Sequence, residues 1–138
     1  MKHAWTVLCR RTLIDDQTQS LSMIDTVELI EFETNEEVSA LPIDLMLVSL
    51  WWRTEADQPE NGKGRTQIIY SANDQSLINM EYDIDLTKAP RHRLLGKLQG
   101  IPFVGSGIYQ IVVQVFDESV DAWQNVATVP LQIQRIPQ

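Results

Sequence analysis

A chain of 138 residues fits a single domain, residues 1–138, and can bury roughly two thirds of its unfolded surface without disulfide or metal staples. Its 43% apolar and 22% charged residues exclude a disordered or fibrous chain, and no repeat or low-complexity tract is visible. A formal net charge of -8 argues against a general phosphate-backbone binder, which needs lysine and arginine to displace counterions, so no nucleic-acid partner is expected.

The first predicted strand covers residues 3–11, with Trp5, Val7 and Cys9 on one side, and ends where Asp15, Asp16 and Gln17 supply a turn. Residues 4–9 are too short and polar for the apolar core of a secretion signal, and Arg10 and Arg11 follow them. Cys9 is the single cysteine, whereas secreted domains often use several in disulfides. A cytoplasmic location is the expectation.

Residues 20–32 read as a second strand whose apolar residues change phase, Leu21 and Met23 on one face, Ile24, Ile30 and Phe32 on the other. A β-bulge near residues 23–26 accounts for the slip economically. An acidic loop over residues 33–40 leads to the third strand, residues 43–54, apolar on both faces. Met46, Val48, Leu50 and Trp52 share one face; Leu45, Leu47, Trp51 and Arg53 share the other. Such a strand is either central and covered on both sides, or it presents Leu45, Leu47 and Trp51 as a candidate partner surface. The stretch 40–52 is interrupted by Asp44 and falls short of the ~20 residues that span a bilayer, so no membrane segment is expected.

Residues 55–65 carry Asn61-Gly62 and read as a solvated loop, with Gly62, Lys63 and Gly64 at a hairpin tip rather than in a phosphate loop. A short strand over residues 66–71 turns at Asn73-Asp74 into another over 77–85, where Met80, Tyr82 and Ile84 alternate with Glu81, Asp83 and Asp85. Residues 91–99 follow, kinked at Gly96 and Gly100, with Arg91, Arg93 and Lys97 on the face opposite Leu94 and Leu98. If these two strands pair as a hairpin, the acids and bases face each other in solvent. Lys88, Arg91, Arg93 and Lys97, with His92 among them, are the candidate anion-binding patch.

Residues 101–116 are a loop feeding a long strand, with Pro102, Gly105 and Gly107 before the alternation of Tyr109, Ile111, Val113 and Val115. The Tyr109 ring is expected in the core with its hydroxyl on loop backbone. The last strand, residues 122–136, carries Pro130 and is expected at an edge or a bulge. About eight strands at short spacing, with few helical signals, predict an all-β fold: a two-sheet antiparallel β-sandwich, immunoglobulin-like or Greek-key.

Chemistry is sparse. His3 and Cys9 would share a face of a regular first strand, but a zinc site wants three or four ligands. Acidic clusters at residues 15–16, 83–85 and 117–121 suggest calcium only weakly, and no serine lies in GxSxG. No catalytic, metal or cofactor-binding residue is assigned and no cofactor is expected. QSLSMIDTVELIEF, LPIDLMLVSLWWR, IPFVGSGIYQIVVQVFDE and VATVPLQI together resemble an uncharacterised family of small bacterial β-sandwich domains, a domain of unknown function with an immunoglobulin-like fold. That resemblance implies a compact sandwich and carries no catalytic residues. The expectation is a non-catalytic module that binds a protein partner or forms a homodimer, with a ligand- or calcium-binding sandwich as the alternative and an enzyme less favoured.

Overall fold

The computed structural model describes residues 1–137 and contains nine strands and no helix among them. Four strands form one sheet in the order β2 (Leu21–Thr26), β1 (Lys2–Ile14), β4 (Ala40–Trp52), β7 (Arg91–Pro102). Five form the other, in the order β3 (Leu29–Glu33), β9 (Ala122–Ile136), β8 (Gly107–Asp117), β5 (Glu60–Tyr70), β6 (Gln75–Leu86). Both sheets feed shared apolar clusters: Leu8, Leu45, Leu47, Leu98 and Ile101 from the first meet Ile68, Tyr109, Ile111, Leu131 and Ile133 from the second. A smaller cluster joins Trp51 to Ile84, Leu86 and Val113.

The count rises to nine because the predicted second strand is two strands in different sheets. β2 pairs with β1, whereas β3 pairs with β9, and that pairing is parallel where an antiparallel fold was expected. Asp25 has a φ of 56°, and the chain leaves the first sheet just after it, once Thr26 has paired with Cys9 and the Val27 N–H has bonded the Leu8 carbonyl. The change of hydrophobic phase is therefore a change of sheet, not a bulge, because each segment buries its apolar residues against a different neighbour.

A bulge does occur one strand earlier. Lys2 and His3 lie opposite Trp52 and Trp51, but Trp5 lies opposite Leu50, so Ala4 is the extra residue. It puts His3 and Thr6 on one face of β1 and leaves Cys9, opposite Met46, on the other. His3 and Cys9 do not share a face as a regular strand would require.

Two further expectations change. Asn61, Gly62 and Lys63 are not a hairpin tip but lie within β5, opposite Asp85, Ile84 and Asp83. Pro130 lies in β9 between two strands, yet β3 covers only Gln132 to Ile136 of it, so the proline meets no ladder neighbour on that side.

Tyr109 is fully buried; its hydroxyl donates to the Gly105 carbonyl at 2.7 Å and accepts from the Val104 N–H at 3.0 Å. Gly105 and Gly107 have φ of 147° and 141°, values that only glycine adopts without strain, and they shape the loop the hydroxyl holds. Burial pushes the Tyr109 phenol above its usual pKa, so the clasp stays protonated.

Candidate functional site

The chain passes from β6 to β7 by crossing between sheets, and both strands end as sheet edges. Their side-by-side edges frame a cleft of about 490 Å³, a volume typical of small-ligand pockets. Leu47, Met80, Leu94, Leu95 and Gly96 give it apolar walls, and Ser49, Thr66 and Tyr82 bring hydroxyls into it. Gly96 lies opposite Leu47 across the ladder.

The hydroxyls form two short chains. Thr66 Oγ1 and Tyr82 Oη share a hydrogen bond of 3.0 Å, while Ser49 Oγ shares one of 2.8 Å with Thr6 Oγ1, which lies 2.7 Å from His3 Nε2. Ser49 and Thr66 are buried polar residues at the junction of the two apolar clusters. A hydroxyl can donate once and accept twice, so a single bond leaves each with capacity for a ligand. Burial lowers the His3 pKa and, despite the bond from Thr66, raises that of Tyr82. Both therefore favour the neutral form, suited to hydrogen bonding more than to charge pairing. Ser49 bonds Thr6 and reaches the imidazole only through it, whereas an activated serine needs its base in direct contact.

The expected partner surface is not on the surface. Leu45, Leu47 and Trp51 are 1%, 3% and 0% exposed, because β4 is a central strand between β1 and β7 and turns that face toward the other sheet. Trp52 takes the outward position instead, at 39%. Of the basic residues, Arg91, Arg93 and Lys97 lie on the outer face of β7, opposite Trp52, Leu50 and Met46, and Lys88 lies in the turn before it. The acids of β6 do not face them across a hairpin. Asp83 and Glu81 lie opposite Lys63 and Arg65 of β5.

The acidic clusters shape turns. Asp15 Oδ1 accepts from the N–H groups of Gln17 and Thr18 at 2.8 Å each, Asp85 Oδ1 from Thr87 N–H at 2.9 Å, and Asp117 Oδ1 from Ser119 N–H at 2.9 Å. Hydroxyl bonds from Thr87 and Ser119 to the same oxygens, at 2.5 and 2.6 Å, together with those amide bonds hold Asp85 and Asp117 below the usual aspartate range, and the Thr18 and Gln17 amides hold Asp15 there. Among the described residues no three or more His, Cys, Asp or Glu gather as a metal site would require. Cys9 is buried, and burial raises its thiol pKa.

Local patterning could not reveal the cleft, which exists only because two edges from different sheets end side by side. One clue was present: Ser49 is a lone hydroxyl among Leu45, Leu47 and Trp51 on the inward face of β4.

No family model and no curated protein matches the chain. Among solved structures, the N-terminal domain of PorA is similar over 95% of this chain and 97% of its own, at 10% identity and a TM-score of 0.35. A likeness at that score transfers neither topology nor role. No helix among the described residues is long and apolar enough to cross a membrane.

Proposed function

We propose that the chain is a non-catalytic binding module, an immunoglobulin-like two-sheet sandwich acting in the cytoplasm, whose partner is a second copy of itself docked along β6 and β7. The observation that carries this reading is the pairing of two twelve-residue edges of opposite charge around an apolar cleft. Glu81, Asp83 and Asp85 alternate along β6; Arg91, Arg93 and Lys97 alternate along β7. Exposed strand edges are templates for further pairing. A two-fold related copy would set its β7 beside this β6 and its β6 beside this β7, extending both sheets and covering the cleft. The acidic surface and the sequestered Ser49 hydroxyl support a role without nucleic acid or catalysis.

Sedimentation across the micromolar range tests this. Reversing Glu81 and Asp83 to lysine weakens the dimer, and adding Arg91→Glu and Lys97→Glu to the same chain restores it. A chain that stays monomeric at low salt sinks the reading.

The hydroxyls of Ser49, Thr66 and Tyr82 favour a second reading, a small apolar ligand with one or two polar groups in the cleft. A monomer that enhances 1-anilinonaphthalene-8-sulfonate fluorescence when native, and loses the effect with Leu94→Arg, identifies that case.

A further inference from the structure

Away from the cleft, the outer face of the four-stranded sheet carries a separate recess. Register across the sheet lays out two rows there: Trp5, Leu50 and Arg93 in one, Lys2, Trp52 and Arg91 in the next. Each row sets an aromatic and an arginine on the same face. The ladder neighbours of the two arginines on β4 are thus apolar residues, not carboxylates, in a chain that is acidic overall.

The β1–β2 hairpin closes over the first row. Residues 2–9 of β1 pair with β4 and residues 9–14 pair with β2, so the far half of β1 leaves the sheet and carries its hairpin back across it. Both terminal nitrogens of Arg93 reach the Gln19 carbonyl, each at 3.4 Å, a long contact that leaves donors free. Asp15 fixes the tip through the Gln17 and Thr18 amides, and Gln19 turns it with a φ of 61°. The result is a recess of about 370 Å³ lined by Trp5, Leu50 and Met23, by Arg91 and Arg93, and by Ser20, whose hydroxyl accepts from Thr18 Oγ1 at 3.0 Å and keeps its own proton to donate.

We propose that this recess binds a small molecule carrying an oxyanion, carboxylate or phosphate, on a flat apolar body. The planar guanidinium groups match an oxyanion two bonds at a time. Trp5 and Leu50 offer the body a surface, and a hydrogen bond to Ser20 fixes its orientation. The recess is on the opposite face of β4 from the cleft but shares Arg91 and Arg93 with the proposed dimer edge, so the titration is run at a concentration where sedimentation gives a monomer, and failure of one reading is distinguishable from failure of the other.

Calorimetric titration of the full chain with 2-naphthoate, 2-naphthyl phosphate, 2-naphthamide and inorganic phosphate tests the idea. At least one naphthyl anion is expected to bind and to change tryptophan fluorescence, with the uncharged amide and the bare phosphate at least about tenfold weaker. The tighter anion names the headgroup. Arg91→Gln, at an exposed position whose loss leaves the hairpin contact intact, weakens binding about tenfold, and Arg91→Gln with Arg93→Gln abolishes it. Equal affinity for acid and amide, phosphate binding as tight as the naphthyl anions, undiminished binding in folded Arg91→Gln, or no binding of either anion would each overturn the proposal.

Discussion

The backbone N–H of Asp85 donates to His92 Nδ1 across 3.0 Å, tying β6 to β7 where the chain crosses between the sheets. An imidazole nitrogen that accepts is unprotonated, so the proton of neutral His92 is on Nε2. The bond closes one end of an opening that the ladders leave unpaired.

Replacing His92 with alanine frees that amide to water. Exchange at Asp85 is expected to accelerate roughly tenfold while the global melting point hardly moves, since the group is at the surface and water takes over the bond. Hydrogen exchange followed by NMR checks this. Unchanged protection at Asp85 would show that the two edges are held by something else.

Tyr109→Phe keeps the buried ring and removes a hydroxyl that holds Val104 and Gly105. The loss is expected at about 1–3 kcal/mol in urea denaturation, with the m-value unchanged, because a half-buried N–H is left without its acceptor. Tyr70→Phe makes the contrast: its bond to the Ser106 carbonyl is exposed, so the cost should stay below about 1 kcal/mol.

Trp51 packs against Ile84, Leu86 and Val113, and its indole Nε1 is buried with no hydrogen-bond partner among the described residues. Trp51→Ala should cost about 3–5 kcal/mol, as large core truncations do. Trp51→Phe removes the unmatched N–H along with some volume and is expected to cost less than half as much. Equal losses in the two variants would mean that the ring itself contributes little.

Gly64 is a glycine inside a strand, where alanine ordinarily stabilises. Here the sign reverses, because a Cβ at this position would run into the Tyr82 ring. Gly64→Ala is expected to destabilise by about 1–3 kcal/mol, and much of that should vanish in a Tyr82→Ala background. Thermal melts of the four chains measure the coupling, and strict additivity would contradict the account.

Alternation within a strand survives folding, which is why the burial of Ile84, Ile111 and Val113 and the Tyr109 clasp were legible in advance. Partner choice between strands is set by contacts distant in sequence. The Asp83 and Arg93 rows were each patterned correctly as strand faces, yet nothing in residues 86–91 decides between a hairpin and a crossing between sheets, so their mutual pairing stayed conditional, and Lys63 is found opposite Asp83 instead. Trp51 shows the same limit, since two apolar faces on β4 leave core and surface undecided until β1 and β7 flank the strand. The cleft and the Arg93 recess depend wholly on such long-range choices.

His3 links pH to stability. Its ring sits edge-on to Trp51, 5.1 Å between centroids, with Nε2 on Thr6, and burial lowers its pKa below the usual 6.5. The folded state therefore binds a proton less readily than the unfolded one. Above pH 6.5 the ring is neutral in both states and its contribution is fully present. As pH falls below that value the unfolded chain takes up a proton first, and stability drops until the folded-state ring titrates as well. The denaturation midpoint is thus expected to fall between about pH 7 and about pH 5, before most carboxylates protonate. His3→Gln should flatten that limb while leaving the steeper acid limb in place. A wild-type midpoint that is level over this interval, or a His3→Gln profile parallel to it, would place the titration on another group.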